Sequence, residues 1–439
     1  MIAHSSRIFR GALFATTAPI MSAARESIAT APAALPRRVR RFVTLLGIVT
    51  WAVLALNLIR PGALGWNGHI KGEDYAHFYT LGRLVADGRA DLLYDTSGQS
   101  AYLSTAIPGA PPTFFIPVYG PQVALGFRPL AAIPYVPSLI LWSAITIAVF
   151  WACCLATLRA CPNLAWCRRD VLLLIAASPA LWQLVLHGQN SIVAMASLTA
   201  GGMLLQRRSD LAAGAALGIL FYKPQLALAV GAVLLVTGRW KAILGMAATT
   251  IAQVAIAWMA FGGETLIAYA RMIQQLPSLT YLLEPKLYLM HSFRAFFAML
   301  PGVSPYAVPI AIVLSLFALV RIIRHWRSGH DDRVSFAALL IGTVLISPHT
   351  SVYDLVIVAP AMMLVADAWI GGGVPASWSW RWIVVAAAYV LPVWPTASKM
   401  LFVQPMVIAL AWMLFEATRI ETRQAVTATE TGVPLRSAV

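Results

Sequence analysis

A series of about twelve apolar segments sets the class of fold that this chain can adopt. An apolar run of about 20 residues is long enough to cross the hydrocarbon core of a bilayer as a helix. Hydrophobic residues make up 59% of the chain and charged residues 11%, whereas soluble domains have about 45–50% and about 25%. The sequence therefore predicts an all-α membrane protein with about 12 transmembrane helices. The segments lie at about 42–59, 114–133, 138–158, 171–187, 190–206, 211–236, 242–261, 305–323, 334–348, 352–370, 382–397 and 400–418.

The formal net charge of +15 comes from basic residues beside the apolar segments, and they form no single basic patch. By the positive-inside rule, Lys and Arg in short loops stay on the cytoplasmic side of a membrane. We therefore place the clusters Arg37–Arg41 and Arg321–Arg333 inside, and the loops 60–112 and 262–304 outside. This distribution does not favour binding of nucleic acid.

Two topologies stay open for the middle of the chain. Strict alternation of spans places Arg168 and Arg207 outside, against the positive-inside rule. A re-entrant segment at 114–133 and a broken double pass at 211–236 would satisfy the rule instead.

The domain prediction is one polytopic transmembrane domain over residues 42–418. A cytoplasmic N-terminal tail (1–41), rich in Ala, Ser, Thr and Pro, and a polar C-terminal tail (419–439) flank it, and we expect both to be disordered. Cys161 and Cys167 share one short loop, where a disulfide and two free thiols are both consistent with the spacing.

The first extracytoplasmic loop is long and acidic, since five of the 17 acidic residues fall between Glu73 and Asp95. Apolar residues of Asp74–Ala86 have helical spacing, and Gly88 is placed to cap that helix. Asp95 can cap a second helix that runs through Leu103. The loop thus predicts two amphipathic helices on the membrane surface.

Polar residues within apolar segments are costly in a bilayer and are therefore candidate functional residues. They occur at His187-Gly188-Gln189-Asn190, at Lys223-Pro224-Gln225 and between Pro348 and Asp354. A turn explains the first group equally well, and a structural hydrogen bond could explain His349 or Asp354. Lys223 lies too deep in its segment to reach the interface, and a cation at a broken helix suits an anion such as phosphate. Asp367, near a helix end, is interpreted as ordinary surface.

Several short strings follow one another in a fixed order along residues 42–418. They are Asp74-Tyr75-Ala76-His77-Phe78-Tyr79, Asp87-Gly88, Leu93-Tyr94-Asp95, His187-Gly188-Gln189-Asn190, Tyr222-Lys223-Pro224, His291-Ser292-Phe293-Arg294 and Ser347-Pro348-His349. Together they resemble glycosyltransferase family 87, integral-membrane enzymes of the GT-C fold that use polyprenyl-phosphate sugars. The chain departs from the family pattern at Met290-His291, where an Asn-Gln pair is usual, and in its aromatic-Pro string at Phe115-Ile116-Pro117.

The resemblance implies a metal-independent, inverting transferase without a cofactor. It would move a hexose, most often mannose, from a polyprenyl-phosphate donor to a lipid or glycan outside a bacterial cytoplasmic (inner) membrane. We assign catalysis to Asp74 and His349 and donor-phosphate binding to Lys223 and Arg294. The predicted substrate-binding residues are Glu73, His77, His187, Gln189 and His291.

Two other functions have the same composition. A transporter or lipid flippase would place polar groups at mid-bilayer and show paired repeats, but the long acidic first loop is not typical of that class. A non-catalytic membrane scaffold would not require Lys223 or His187 inside apolar segments.

Overall fold

The computed structural model describes residues 35–419 except 285, 330 and 373–378. The described residues are helical, with two isolated β-bridges and no strand. The helices are α1 Arg37–Ile59, α2 Glu73–Ala86, α3 Thr96–Ala106, α4 Pro121–Phe127, α5 Tyr135–Arg159, α6 Arg168–Ala176, α7 Pro179–His187, α8 Ser191–Gln206, α9 Asp210–Gly218, α10 Pro224–Val236, α11 Trp240–Leu283, α12 Phe293–Met299, α13 Ala307–Arg327, α14 Asp332–Ile346, α15 Val358–Gly371, α16 Trp380–Val390, α17 Thr396–Leu401 and α18 Pro405–Ala417. Short 3-10 helices lie at Ala90–Leu92, Leu130–Ala132, Asn163–Cys167, Ile219–Tyr222, Leu287–Leu289, Ser304–Tyr306, Val352–Ile357 and Leu391–Val393.

Within the described ranges, six helical stretches are long and apolar enough to cross a membrane. These are Arg37–Ile59, Tyr135–Arg159, Asn163–His187, Trp240–Leu283, Ser304–Arg327 and Val352–Gly371. Five shorter apolar helices accompany them. The prediction of an all-helical fold with membrane spans is thus confirmed, while the count of about twelve stays a prediction.

The predicted segment 114–133 is not a spanning helix. Its residues run without regular structure up to Gly120, and the seven-residue α4 and the 3-10 turn Leu130–Ala132 follow. A second predicted feature, the interruption at Lys223, is present: α9 continues into a 3-10 turn that ends at Tyr222, and α10 starts at Pro224. Proline suits this first helical position because its missing N–H would be unsatisfied there anyway.

The region 262–304, predicted as a loop, begins as helix. α11 has 44 residues and is interrupted only at Gly262, whose φ of 77° and ψ of 178° are not helical. A positive φ is readily adopted by glycine because it lacks a Cβ. The element predicted as the second extracytoplasmic loop is therefore a helical arm up to Leu283, followed by a short connection to α12.

The first loop forms the two expected helices, and Asp95 caps the second by accepting a hydrogen bond from Ser97 N at 3.1 Å. α2 does not lie on a surface, however. Most of its residues are buried, and Tyr75 packs against Phe127, Tyr135 and Trp142. Aromatic packing of this kind explains why a loop helix belongs to the main core.

The first helix begins slightly before the predicted transmembrane domain. α1 begins at Arg37, five residues before the predicted span. Most of the two predicted tails lies outside the described residues.

Two predictions about single side chains can also be compared with the structure. Cys161 and Cys167 are both free thiols. Asp367 was wrongly interpreted as surface, because it is buried and accepts hydrogen bonds from Asn163 N at 2.7 Å and Arg333 Nη1 at 3.3 Å.

Candidate active site

The N-terminus of α2 meets the turn between α7 and α8, and this contact creates a polar site. Asp74 lies in the first turn of α2, where the positive end of the helix dipole favours a carboxylate. Gln189 Nε2 donates a hydrogen bond to Asp74 Oδ2 at 3.3 Å. Two residues that are 115 positions apart in sequence are thus joined in one site.

Gln189 is held so that its amide nitrogen faces Asp74. Its Oε1 accepts hydrogen bonds from Asn190 N at 2.8 Å and from the Tyr119 hydroxyl at 3.3 Å. Because both of these partners donate to the oxygen, the NH₂ group is left to donate to the carboxylate.

Gly188 is required at this turn for two reasons. Its φ is 64°, in the left-handed region, and a Cβ there would lie 2.5 Å from Tyr75 Cβ. Its carbonyl oxygen also accepts a hydrogen bond from Trp142 Nε1 at 3.1 Å. Glycine lets the turn pack against α2, and this contact brings Gln189 to Asp74.

The environment makes Asp74 a stronger base than an ordinary aspartate. Burial of the carboxylate raises the pKa of Asp74, while the charges of His187 and Lys223 and the hydrogen bond from Gln189 lower it in part. The net direction is upward. A carboxylate with a raised pKa accepts a proton more readily at neutral pH.

A buried ion pair lies behind Asp74. Lys223 Nζ is 2.9 Å from Asp354 Oδ1 and 2.9 Å from Ser191 Oγ, and the two charged side chains are only 6% and 2% exposed. Asp354 also accepts a hydrogen bond from Ser351 N at 2.9 Å. Lys223 Nζ lies 5.4 Å from the centre of the Tyr353 ring, and the His187 ring lies 5.8 Å from the same ring. Lys223 therefore has a protein partner, which the sequence did not indicate.

A second charged cluster is centred on Glu284, just after α11. Glu284 Oε1 is 2.7 Å from His349 Nδ1, and Oε2 pairs with Arg294 Nη2. Burial raises the pKa of Glu284, but the bonds to His349 and Arg294 outweigh it and hold that pKa below its ordinary value. Glu284 is thus ionised and accepts from Nδ1–H, which leaves the Nε2 atom of His349 on the opposite side of the ring.

Short backbone contacts join the two clusters. His291 N donates to Thr350 O at 2.8 Å, and Met290 and Ser351 form an isolated antiparallel bridge. Ser351 belongs to the same capping box as Asp354. The connection after α11 is consequently fastened to the turn that carries both His349 and Asp354.

Two buried histidines are neutral. Burial lowers the pKa of His77 to about 3 and that of His291 to about 4. The ring nitrogens of His291 and Nε2 of His77 have no hydrogen-bond partner among the residues that the structure describes. His77 packs edge-on against Phe115, with ring centres 5.0 Å apart. Neutral imidazoles of this kind can donate and accept hydrogen bonds with a ligand's hydroxyl groups.

The structure brings Asp74, His187, Gln189 and Lys223 together, whereas Arg294, His291 and His349 form the adjoining cluster. Glu73 is exposed, and its carboxylate lies 3.8 Å from His69 Nδ1. The residue predictions gave no role to Ser191 or Glu284, and they named Asp354 without its partner Lys223. Glu284 could have been noticed as one of only two acidic residues in 262–304. The described residues contain no group of three potential metal ligands.

A comparison with protein families identifies the family of this chain. A model of glycosyltransferase family 87 matches residues 117–348, more than half of the chain. The chain belongs to that family and is a membrane glycosyltransferase. The matched range includes Gln189, Lys223 and Arg294 and ends one residue before His349. Asp74 lies before the start of the matched range. No curated protein and no solved structure gives a significant match.

Proposed function

We propose that the protein transfers a hexose, mannose by preference, from a polyprenyl-phosphate donor to a lipid or glycan acceptor. The reaction takes place at the extracytoplasmic face of a bacterial cytoplasmic membrane, within a GT-C-type fold. The observation that carries the proposal is the Asp74 carboxylate, which has a raised pKa, is oriented by Gln189 and lies near the buried Lys223.

Asp74 acts as the general base of a single displacement. The acceptor hydroxyl oxygen attacks the anomeric carbon and forms the new C–O bond, while the bond from that carbon to the phosphate oxygen breaks. The hydroxyl proton passes to Asp74, and the bonding electron pair leaves on polyprenyl phosphate. Attack opposite the leaving group inverts the anomeric carbon.

The leaving phosphate gains negative charge, and cationic side chains stabilise it. Arg294 donates from Nε to Pro348 O at 3.0 Å and from Nη2 to Glu284. Its Nη1 makes no hydrogen bond to the described residues, so two N–H groups remain for a phosphate. His349 can donate to the phosphate from Nε2 when its ring carries both protons, and we assign Lys223 as a further cation. These groups supply the required charge, so the proposed mechanism uses neither a metal nor a cofactor.

Neutral polar groups would bind the sugar. We assign hydroxyl contacts to His77, His187, Gln189 and His291, and an outer contact to the exposed Glu73. The unpartnered nitrogens of His77 and His291 support this assignment, because a buried polar atom without a partner costs about 1–3 kcal/mol. A hydroxyl-rich ligand would satisfy them.

The direct test uses purified protein in detergent with a polyprenyl-phosphate hexose and a lipid extract as acceptor. We expect release of polyprenyl phosphate together with a new glycolipid, fastest with the mannosyl donor. A flippase would move the donor across a vesicle bilayer without breaking the sugar–phosphate bond. Translocation without cleavage would therefore replace the proposal with the transport function.

The orientation is tested by labelling single cysteines in a cysteine-free background. Ser104 and Ser278 are exposed in the first loop and on the helical arm, whereas Ser328 lies in the basic segment. An impermeant maleimide added to intact cells should label Ser104→Cys and Ser278→Cys, but Ser328→Cys only after permeabilisation. Labelling of Ser328→Cys in intact cells, with the other two protected, would show that the site faces the cytoplasm.

A further inference from the structure

A buried lysine, Lys71, lies three residues before Asp74 in the connection between α1 and α2. Only 1% of the residue is exposed. Its Nζ donates hydrogen bonds to the backbone oxygens of Leu58 at 3.2 Å, of Gly62 at 2.9 Å and of Arg60. An ammonium group has three N–H donors, so all of them are used within the protein. The side chain of Lys71 therefore holds backbone and has no donor left for a substrate.

The three carbonyl groups lie at the end of α1 and in the turn after it. The last carbonyls of a helix lack partners within the helix, and the partial negative charge there favours a cation. The last turn of α1 contains no basic residue, and Lys71 supplies the cation from beyond the helix. Its own N–H donates to Ala63 O at 2.9 Å, and Leu64 and Ile70 form an antiparallel bridge. The turn 60–71 is thus closed and fastened to α1.

The other side of the same junction is held by α5. The hydroxyl of Tyr135, the first residue of α5, donates to the backbone oxygens of Lys71 and, at 3.4 Å, of Gly72. Gly72 has a φ of 60°, and a Cβ there would lie 2.7 Å from Leu139 Cδ1, so this backbone packs directly on α5. α2 begins at the next residue, and Asp74 is its second residue. The direction in which α2 leaves the junction therefore depends on Lys71 and Tyr135.

We propose that Lys71 and Tyr135 are positioning residues of the transfer reaction. They anchor the start of α2 to the ends of two candidate membrane-spanning helices, α1 and α5, and so hold Asp74 beside Gln189. The inference rests on the proposed function and adds to it how the base is fixed in place. The hydrogen bond between Gln189 and Asp74 is 3.3 Å long, so a small displacement of α2 would break it. A displacement of about 1 Å can lower the rate of a reaction between positioned groups about 100-fold.

Tyr135→Phe tests this anchor, and Tyr79→Phe is its matched control. Each change removes one hydroxyl that donates to backbone, since the Tyr79 hydroxyl donates to Ile133 O at 2.8 Å. The two rings pack edge-on with centres 5.2 Å apart, so both changes are made in the same surroundings. A purely structural role predicts similar effects of the two changes on every measured quantity.

The positioning role predicts that only Tyr135→Phe lowers turnover. We expect its kcat to fall about tenfold, because the base is displaced by less than about 1 Å. The KM for the polyprenyl-phosphate hexose should change less than twofold, because the cations assigned to the donor phosphate lie on other elements. Tyr79→Phe should match wild type in both constants. Lys71→Met keeps an apolar stem but loses all three donors, so its kcat should fall further, about 30-fold, again at an unchanged donor KM.

A second measurement does not depend on sugar transfer. Ala76 N donates to Gly72 O at 3.2 Å at the start of α2, so hydrogen–deuterium exchange of amides 76–79 reports how firmly the junction is held. Exchange should be faster in Tyr135→Phe than in wild type and in Tyr79→Phe. Equal kcat in the two tyrosine variants, or unchanged exchange in Tyr135→Phe, would overturn the inference. Faster exchange in a protein that transfers no sugar would retain the anchor and refute the proposed function.

Discussion

Asp74→Asn should lower turnover by at least about 100-fold while leaving folding and donor binding unchanged. General-base assistance contributes about 10²–10⁴-fold to a rate, and asparagine cannot take the acceptor's proton. The side chain has nearly the same shape and can still accept the hydrogen bond from Gln189. Turnover measured at saturating donor, together with Tm and donor-induced stabilisation, separates the chemical step from binding.

Glu73→Gln is the matched control, because Glu73 is adjacent, acidic and exposed. We expect it to keep turnover at saturating substrate within about threefold of wild type, because an outer contact to the sugar affects KM, whereas a general base contributes about 10²–10⁴-fold to the rate. If Glu73→Gln is inactive and Asp74→Asn is active, the base is Glu73. If both are active, the single-displacement mechanism with a loop carboxylate is wrong.

The pH dependence of wild type gives an independent check on the base. Only the deprotonated carboxylate can accept a proton, so turnover should rise with pH through the pKa of Asp74. Because burial raises that pKa, the acidic limb should lie above the ordinary range of an aspartate. An acidic limb at or below that ordinary range would contradict the raised basicity.

Breaking the Lys223–Asp354 pair should cause the largest loss of stability. Removing one member of a buried ion pair costs about 3–5 kcal/mol, because the other charge is left uncompensated. We expect Lys223→Met and Asp354→Asn each to lower Tm strongly. The double variant contains neither charge and should recover more than half of that loss, measured as Tm and as the monodisperse fraction in detergent.

The double variant also tests the role of Lys223 toward the donor. A charge-assisted hydrogen bond is worth about 1.5–3 kcal/mol, so loss of Lys223 should raise the donor KM about tenfold or more even in the restored fold. Asp354→Asn, assayed at low temperature, is the comparison that retains the lysine. Wild-type donor KM in the double variant would make Lys223 a purely structural residue.

The sequence predicted those parts of the fold that depend on local patterns. Apolar runs identified most of the helices, Asp95 and Gly88 marked caps, and Pro224 marked the break beside Lys223. These features follow from side chains within a few positions of one another. The membrane class and the family were therefore predictable.

Long-range pairing was not predictable in the same way. Nothing near Lys223 in sequence indicates that Asp354, 131 residues away, compensates its charge. The burial of α2 depends on aromatic partners from α4 and α5, which periodicity within α2 does not reveal. Glu284 was overlooked because its partners His349 and Arg294 meet it only after the connection folds back onto the turn before α15.

The break at Gly262 divides α11 into two helical arms, so a small change of angle there displaces the far end of the second arm. Its outer arm, residues 263–283, is about 30 Å long at about 1.5 Å per residue, and it ends directly before Glu284. A swing of about 5° at the joint therefore moves the far end by about 3 Å, which is the length of one hydrogen bond. Tyr269 on this arm also packs against Tyr94 of the first loop, with ring centres 5.6 Å apart. The position of Glu284 relative to His349 is therefore sensitive to the backbone angles of one glycine, and the contact between Tyr269 and Tyr94 holds the arm against the first loop.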